Sequence, residues 1–513
     1  MKKLILMTAA AFSLTPAMMA ENLKATIHAD QGKQKIYKEV YGQFAEHLGS
    51  CIYGGLWVGE QSQIPNVNGY RKDVFEALKD LQIPVLRWPG GCFADEYHWM
   101  DGIGPRENRP QMVNTNWGGT VEDNSFGTNE FFNLCEMLGC EPYLSGNVGS
   151  GTVEELAKWV EYITAEDGPM AAVRKQNGRE KPWRLKYLGV GNESWGCGGN
   201  FTPEYYSDVY RRYQTYCRDF NGNKLYKVAS GASDYDYNWT EVLMRNATRY
   251  MDGISLHYYT VYEWDHKGSA TDFTTADYYW TLGKCLEIED VVRKHCEIMD
   301  KYDPSKRVGL LVDEWGTWFD VEPGTNPGHL FQQNTMRDAM VAAISLNIFH
   351  EFSDRVRMAN IAQIANVLQS MVLTRGNEMV LTPTYYVFKM YAPHQGARLV
   401  PVKVDTPCEI ARDGRRVPTV SATATEKDGT TTISLVNTDL ANDATITVDL
   451  RGTAAKNISG EILNAASIND FNNFGQPRKV ETKQLSSKSW RLKGDQLIVT
   501  LPPASIATLS VGR

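Results

Sequence analysis

No stretch of this 513-residue chain gathers the lysine and arginine that a phosphate backbone or an anionic lipid surface calls for, and the net charge is −8 with a pI near 5.7. Nucleic acid is therefore not expected as a partner. No apolar run reaches the roughly 18 to 20 residues that spanning a bilayer requires. Cysteine is scarce and irregular: the count is nine, an odd number, with no CxxC pair. That pattern indicates neither a zinc knuckle nor a regular disulfide framework. Cys135 and Cys140 remain either a bridge or two buried thiols at a helix end. His47, His98, His257 and His350 are scattered and show no His-x-x-x-His spacing, which argues against zinc. Asp234, Asp236 and Asn238 alternate as calcium ligands do, but the Gly and distal Glu of such a loop are missing. Neither a metal nor an organic cofactor is expected.

Aromatic residues, by contrast, are plentiful. The chain has 13 Trp and 26 Tyr, many beside Gly, Asn and Glu rather than inside apolar runs. Flat rings next to polar groups suit sugars. With 42% hydrophobic and 22% charged residues, the chain is an ordinary globular sequence with room for one large domain and a smaller one. At the start, Lys2 and Lys3 precede the apolar run Leu4 to Leu14, then Pro16, Ala17 and Ala20. This basic, apolar, small-residue order predicts a signal peptide over residues 1–20, cleaved near Ala20, and an exported protein, periplasmic or extracellular.

From residue 38 to 384, short β-type segments recur, each ending in polar or glycine-rich residues and each followed by a helical period. Strands are expected near Val40 to Phe44, Pro84 to Trp88, Pro142 to Gly146, Tyr187 to Gly191, Lys227 to Gly231, Gly253 to His257, Val308 to Asp313 and Asn360 to Ile364. Eight such units predict a (β/α)₈ TIM barrel, of class α/β. Among the intervening helices, that near Gln333 to Phe349 reads as long and amphipathic. Residues 385–513 change to short alternating segments, among them Thr431 to Val436 and Ala444 to Leu450, separated by Asn, Asp and Gly turns. An antiparallel β-sandwich follows from this pattern. Within residues 21–37, Leu23, Ala25 and Ile27 alternate on one face, predicting a strand that joins the sandwich.

In such a barrel the functional groups stand at the C-terminal strand ends. The fourth segment ends Gly191-Asn192-Glu193-Ser194-Trp195, and the seventh ends Asp313-Glu314-Trp315-Gly316. Each sets a carboxylate just past an apolar strand, beside a Trp. Two carboxyls facing each other across a barrel mouth can break a glycosidic bond, one as acid and one as nucleophile. Asn192 can hold the hydroxyl next to the anomeric carbon. Arg87, at the second strand end, can orient Glu314 or Glu193 through its guanidinium. On strand six, Ser255, His257 and Tyr259 share one face by period-two alternation, so Tyr259 rather than Tyr258 is the inward ring, with His257 beside it.

Further segments resemble glycoside hydrolase family 51, the α-L-arabinofuranosidases. They are Tyr41-Gly42-Gln43-Phe44-Ala45-Glu46-His47-Leu48-Gly49, Arg87-Trp88-Pro89-Gly90-Gly91-Cys92, Gly127-Thr128-Asn129-Glu130-Phe131 and Arg355 to Gln363, together with the two glutamate motifs. They run in order through nearly the whole barrel. The resemblance implies a barrel followed by a β-sandwich, no cofactor, and double displacement through a covalent arabinosyl-enzyme. It implies Glu193 as acid/base, Glu314 as nucleophile, and Glu46, Asn192, Tyr259 and Gln363 as sugar ligands. Cys92 stands where many relatives carry Asn, so contact with the sugar there falls to its backbone. Trp117 covers the subsite for the leaving sugar.

The expected function is exo-acting release of α-L-arabinofuranose from arabinan, arabinoxylan or derived oligosaccharides, by a chain that can form a homo-oligomer. Bulky residues around Trp57, Trp99 and Trp117 favour a closed pocket over an open cleft. The alternatives are an endo-β-glucanase or β-xylosidase on the same barrel, which keeps both glutamates, and a non-catalytic carbohydrate-binding barrel, which would lose one.

Overall fold

The computed structural model describes residues 22–32, 34–404, 409–412, 415–452, 455 and 457–512. The expected signal peptide, residues 1–20, lies outside them. Eight parallel strands close into a barrel: Gly42–Phe44, Val85–Trp88, Glu141–Gly146, Tyr187–Val190, Tyr226–Ser233, Gly253–Thr260, Gly309–Thr317 and Val356–Ala362. Each pairs with its neighbours in sequence, and the eighth returns to the first through Asn360 opposite Gly42. Inward side chains from alternate positions fill the lumen. Val85, Tyr143, Tyr187, Val228, Leu311 and Met358, from six different strands, form a separate buried cluster there.

Two strands run differently from the sequence reading. Val40 and Tyr41 belong to a 3-10 turn, Lys38–Tyr41, leaving only three residues for the first strand. The seventh strand continues through Glu314 to Thr317, so the glutamate lies inside the strand rather than past it. A register shift between Val312 and Trp315 allows this. Strict alternation would send Asp313 and Glu314 to opposite faces, whereas the bulge turns both toward the barrel axis.

The helix Met336–Glu351 is buried all round rather than amphipathic, every residue from Met336 to His350 being enclosed. One side meets the barrel, where Phe349 packs edge-on to Trp315, and the other meets a sheet, where Asn347 donates to Ser421 at 2.9 Å. A helix sandwiched between two layers needs no polar face. The helix Pro383–Tyr391, started by Pro383 and capped by Thr382, runs across residue 385, and sheet structure begins only at Arg398.

Beyond it two sheets enclose their own core. One, of six antiparallel strands, orders Arg398–Val400, Val420–Lys427, Thr430–Asn437, Ser505–Gly512, Asn457–Asn464 and Glu481–Gln484. The other has five strands, and its second is Asn22–His28, from the start of the described chain. That strand pairs antiparallel with Val402–Val404 and parallel with Ala444–Arg451, so this sheet is mixed. Leu23, Ala25 and Ile27 are buried in the core shared with the six-stranded sheet, as their alternation requires.

Candidate active site

The C-terminal strand ends surround a small pocket lined by Glu46, Leu48, Gly91, Cys92, Trp117, Glu193, Tyr259, Glu314, Trp318, Leu330, Gln363 and Leu368. Its floor is a buried charge network. Arg87, rising from the second strand, donates through Nη1 to Oε1 of Glu314 at 2.9 Å and through Nη2 to Oδ1 of Asn192 at 2.6 Å. Its plane lies over the Phe44 ring, 4.4 Å from the centroid. Burial alone would lower the guanidinium pKa, but the Asp313 and Glu314 charges outweigh it and raise it. Tyr143 donates to Oδ2 of Asp313 at 2.7 Å. Burial also opposes the Asp313 charge, yet Arg87 and His257 hold its carboxyl below the usual range.

His257 bridges the two glutamate strands. Its Nδ1 lies 2.8 Å from Oε1 of Glu193 and its Nε2 3.1 Å from Oδ1 of Asp313. Burial works against its charge, but Glu314 and the hydrogen bonds to Asp313 and Glu193 push the ring up to about 10. It is therefore an imidazolium that donates from both nitrogens. Tyr259 donates to Oε2 of Glu314 at 2.7 Å. Glu193, His257 and Glu314 each bring an atom within 4.8 Å of the other two, so carboxylate oxygens from strands four and seven meet across the mouth.

Glu46 closes another side. Its Oε1 accepts from Phe93 N at 3.1 Å and Trp117 Nε1 at 3.0 Å, and its Oε2 from Gln363 Nε2 at 3.0 Å. Burial, with the Glu314 charge, pushes its carboxyl up to about 8. Gly91 makes room for it: a Cβ there would sit 2.9 Å from Oε1. Asn192 Nδ2 and Gln363 Oε1 are buried without a hydrogen-bond partner among the described residues. A buried amide group left unpaired is costly, and a sugar hydroxyl would satisfy it.

Glu193 occupies a tight turn with φ +39, in the left-handed region that non-glycine residues rarely adopt. The backbone over-determines this turn. Gly196 and Gly198 both donate to the Glu193 carbonyl, and the Asn192 N–H donates to Oδ2 of Asp95 at 2.9 Å. Asp95 also accepts from Val148 and Gly149, and burial pushes its carboxyl up to about 7. Strain held in this way is characteristic of functional sites.

All ten sequence-derived site residues converge here, but several neighbours differ from expectation. Cys92 is joined to Cys197 by a disulfide, with 5.5 Å between Cα atoms. Of the two readings left open for Cys135 and Cys140, the second holds, both being free, buried thiols at a helix end. Trp57 and Trp99 do not shape the mouth; they are buried in the core, Trp57 against Tyr70 and Phe126 and Trp99 stacked on Trp159. Trp315, beside Glu314 in sequence, turns outward onto Phe349 and Phe388. The second wall is Trp318, edge-on to Tyr259 at 5.0 Å. Trp318, Asp313, Asp95, Tyr143 and Cys197 had no assigned part in the sequence reading. Asp313 alone carried a signal, its place beside Glu314. Among the described residues, no helix is long and apolar enough to cross a membrane.

Comparison with known proteins identifies the family. Residues 77–275 match the α-L-arabinofuranosidase 1 domain and residues 313–505 the α-L-arabinofuranosidase C-terminal domain. An enzyme of Bacteroides ovatus named an intracellular exo-α-L-arabinofuranosidase is 64% identical over 100% of both chains. The family 51 arabinofuranosidase of Xanthomonas axonopodis pv. citri superposes with a TM-score of 0.94 at 48% identity, covering 96% of this chain and 99% of its own. An α-L-arabinofuranosidase of Thermotoga maritima, solved as an arabinose complex, gives 0.84 at 28% identity over 96% and 100%. The expectation of export is corrected by the first of these, since a relative matching end to end is named intracellular. The glucanase, xylosidase and non-catalytic alternatives fall away for the same reason, for the chain belongs to glycoside hydrolase family 51, the retaining α-L-arabinofuranosidases, and acts on terminal residues.

Proposed function

We propose that Glu314 is the nucleophile and Glu193 the acid/base of a double displacement at a terminal α-L-arabinofuranosyl residue. The observation that supports it most is the approach of these two carboxylates, with atoms within 4.8 Å, in one small pocket. Retaining enzymes hold their pair about 5–5.5 Å apart, whereas inverting ones leave about 6.5–9.5 Å for a water. Arg87 and Tyr259 aim donors at the two oxygens of Glu314 and fix it for attack on the anomeric carbon. Glu193, whose Oε1 is held by His257, protonates the departing oxygen through Oε2 and then activates water. Asn192, Gln363, Glu46 and Tyr259 supply polar contacts to the furanose, and Trp117 and Trp318 wall it in. The relative's intracellular naming supports arabinan- or arabinoxylan-derived oligosaccharides as substrates, because chains inside a cell have already been shortened for uptake.

Azide separates the two roles. Glu193→Ala should still form the glycosyl-enzyme from an activated aryl arabinofuranoside, and azide should then restore turnover, giving the α-azide. Glu314→Ala should lose all turnover, and any rescue should be a single displacement giving the β-azide. The reverse pattern exchanges the two assignments.

A further inference from the structure

The Cys92–Cys197 disulfide lies against the glutamate read above as acid/base. Cys92 opens the 3-10 turn Cys92–Asp95 that follows the second strand, and Cys197 lies in the turn that carries Glu193. The first segment therefore grips the second at two points. Asp95 holds the backbone N–H of Asn192 on one side of Glu193, and the disulfide holds Cys197 on the other. The sulfurs of Cys92 and Cys197 lie 3.8 and 3.5 Å from Oε2 of Glu193. A disulfide carries no hydrogen, so these are van der Waals contacts, and they leave Oε2 without a competing donor. Oε1 is already taken by His257. Oε2 is thus the oxygen free to pass a proton to the leaving group.

Accessibility sets this bond apart. Cys197 is exposed and Cys92 half-buried, whereas Cys51, Cys135, Cys140, Cys217, Cys285 and Cys296 are all buried free thiols. Disulfides are rare in cytosolic proteins and, where present, are usually transient, catalytic or redox-sensing. An exposed one beside the acid, in a chain whose end-to-end relative is named intracellular, calls for a reason.

We propose that the Cys92–Cys197 disulfide is a positioning element for Glu193, so that its thiol–disulfide state sets the enzyme's power over linkages that need protonation. The proposal rests on Glu193 being the acid/base. A dithiol reductant transfers two electrons and two protons: the S–S bond breaks, each sulfur gains a hydrogen, and the dithiol closes to its own cyclic disulfide. Reduction then acts twice. It releases the turn at Cys197, and it sets two S–H donors against Oε2, where they favour the unprotonated oxygen over the proton it has to pass to the leaving group.

The test compares kcat/KM, which reports glycosylation alone, on two substrates: a nitrophenyl arabinofuranoside, whose leaving group needs little protonation, and an arabino-oligosaccharide. The full-length protein is assayed oxidised, after dithiothreitol with thiol labelling of Cys92 and Cys197, and after reoxidation; Cys197→Ser is assayed beside it. Reduction should lower the oligosaccharide value by about tenfold, part of the roughly 10²–10⁴ that a positioned acid contributes. The aryl substrate should change less than about twofold, and reoxidation should restore the loss. An equal loss on both substrates makes the bond merely structural and overturns the proposal, as does no loss on either. A bond that dithiothreitol leaves closed overturns its redox part. If Cys197→Ser does not fold, reduction of the unaltered protein still decides. Glu193→Ala, run alongside, should discriminate the same two substrates even more strongly; if it does not, the acid/base reading is at fault rather than the disulfide's role.

Discussion

Arg87 and Glu314 form an ion pair at 2.9 Å beneath the pocket, with side chains only 2% and 8% exposed. The pair sits where water cannot replace either partner. Arg87→Lys keeps the charge but loses the fork that reaches Asn192 as well, and kcat should fall by about 10²–10³. Arg87→Ala also strands Asp313 and Glu314, and should cost about 3–5 kcal/mol of stability in denaturant unfolding. Full activity in Arg87→Lys would refute its part in holding the nucleophile.

His257 gives the fold a pH dependence of known sign. The carboxylates around it push the ring up from its ordinary 6.5 to about 10. The stabilisation is therefore complete below about pH 6.5 and lost as pH rises through about 10. Thermal melts between these limits should show Tm falling in the unaltered protein and falling less in His257→Asn. Parallel slopes in the two proteins would count against a charged imidazole.

Glu46 acts in a lower window. Its carboxyl is raised from 4.5 to about 8, so the folded chain binds a proton that the unfolded chain releases, and stability declines from about pH 4.5 to 8. Glu46→Gln should flatten this stretch of the Tm profile. An unchanged slope would mean that another buried carboxyl, Asp95 for example, dominates it.

Gly198 tests the acid/base turn from a position packed against the Asn192 carbonyl and the Asp95 carboxylate. A Cβ there would lie 1.8 Å from the Asn192 carbonyl oxygen, so the turn has to move. Gly198→Ala should cost about 1–3 kcal/mol by overpacking, and should depress oligosaccharide hydrolysis more than aryl arabinofuranoside hydrolysis. Unchanged discrimination between these substrates would show that the turn tolerates the shift.

The barrel and its two glutamates were legible because a repeated apolar segment with a polar tail leaves a periodic trace, and both carboxylates stand at such tails. What escaped depends on contacts between distant segments. The partner of Cys92 stands 105 residues away, and nothing in the spacing of cysteines reports which loops meet over a barrel mouth. The inward turn of both Asp313 and Glu314 comes from a bulge that strict alternation hides. Trp57 and Trp99 read as residues that close the pocket because composition marks them as bulky aromatics, while only packing tells a core ring from a pocket ring. The enclosure of Met336–Glu351 was hidden likewise, since polar residues such as Asn347 and His350 suggested a solvent face but bond to the sheet domain instead.

The strand Asn22–His28 has a consequence for how the chain is made. Its parallel partner, Ala444–Arg451, follows after about 400 residues. At synthesis rates of ~5–20 residues per second, it leaves the ribosome some ~20–80 s before that partner exists. The barrel can close in the meantime, because none of its strands needs residues beyond Ala362. The sheet cannot, and Leu23, Ala25 and Ile27 remain uncovered until late. The earliest described strand to emerge is thus among the last to find its place.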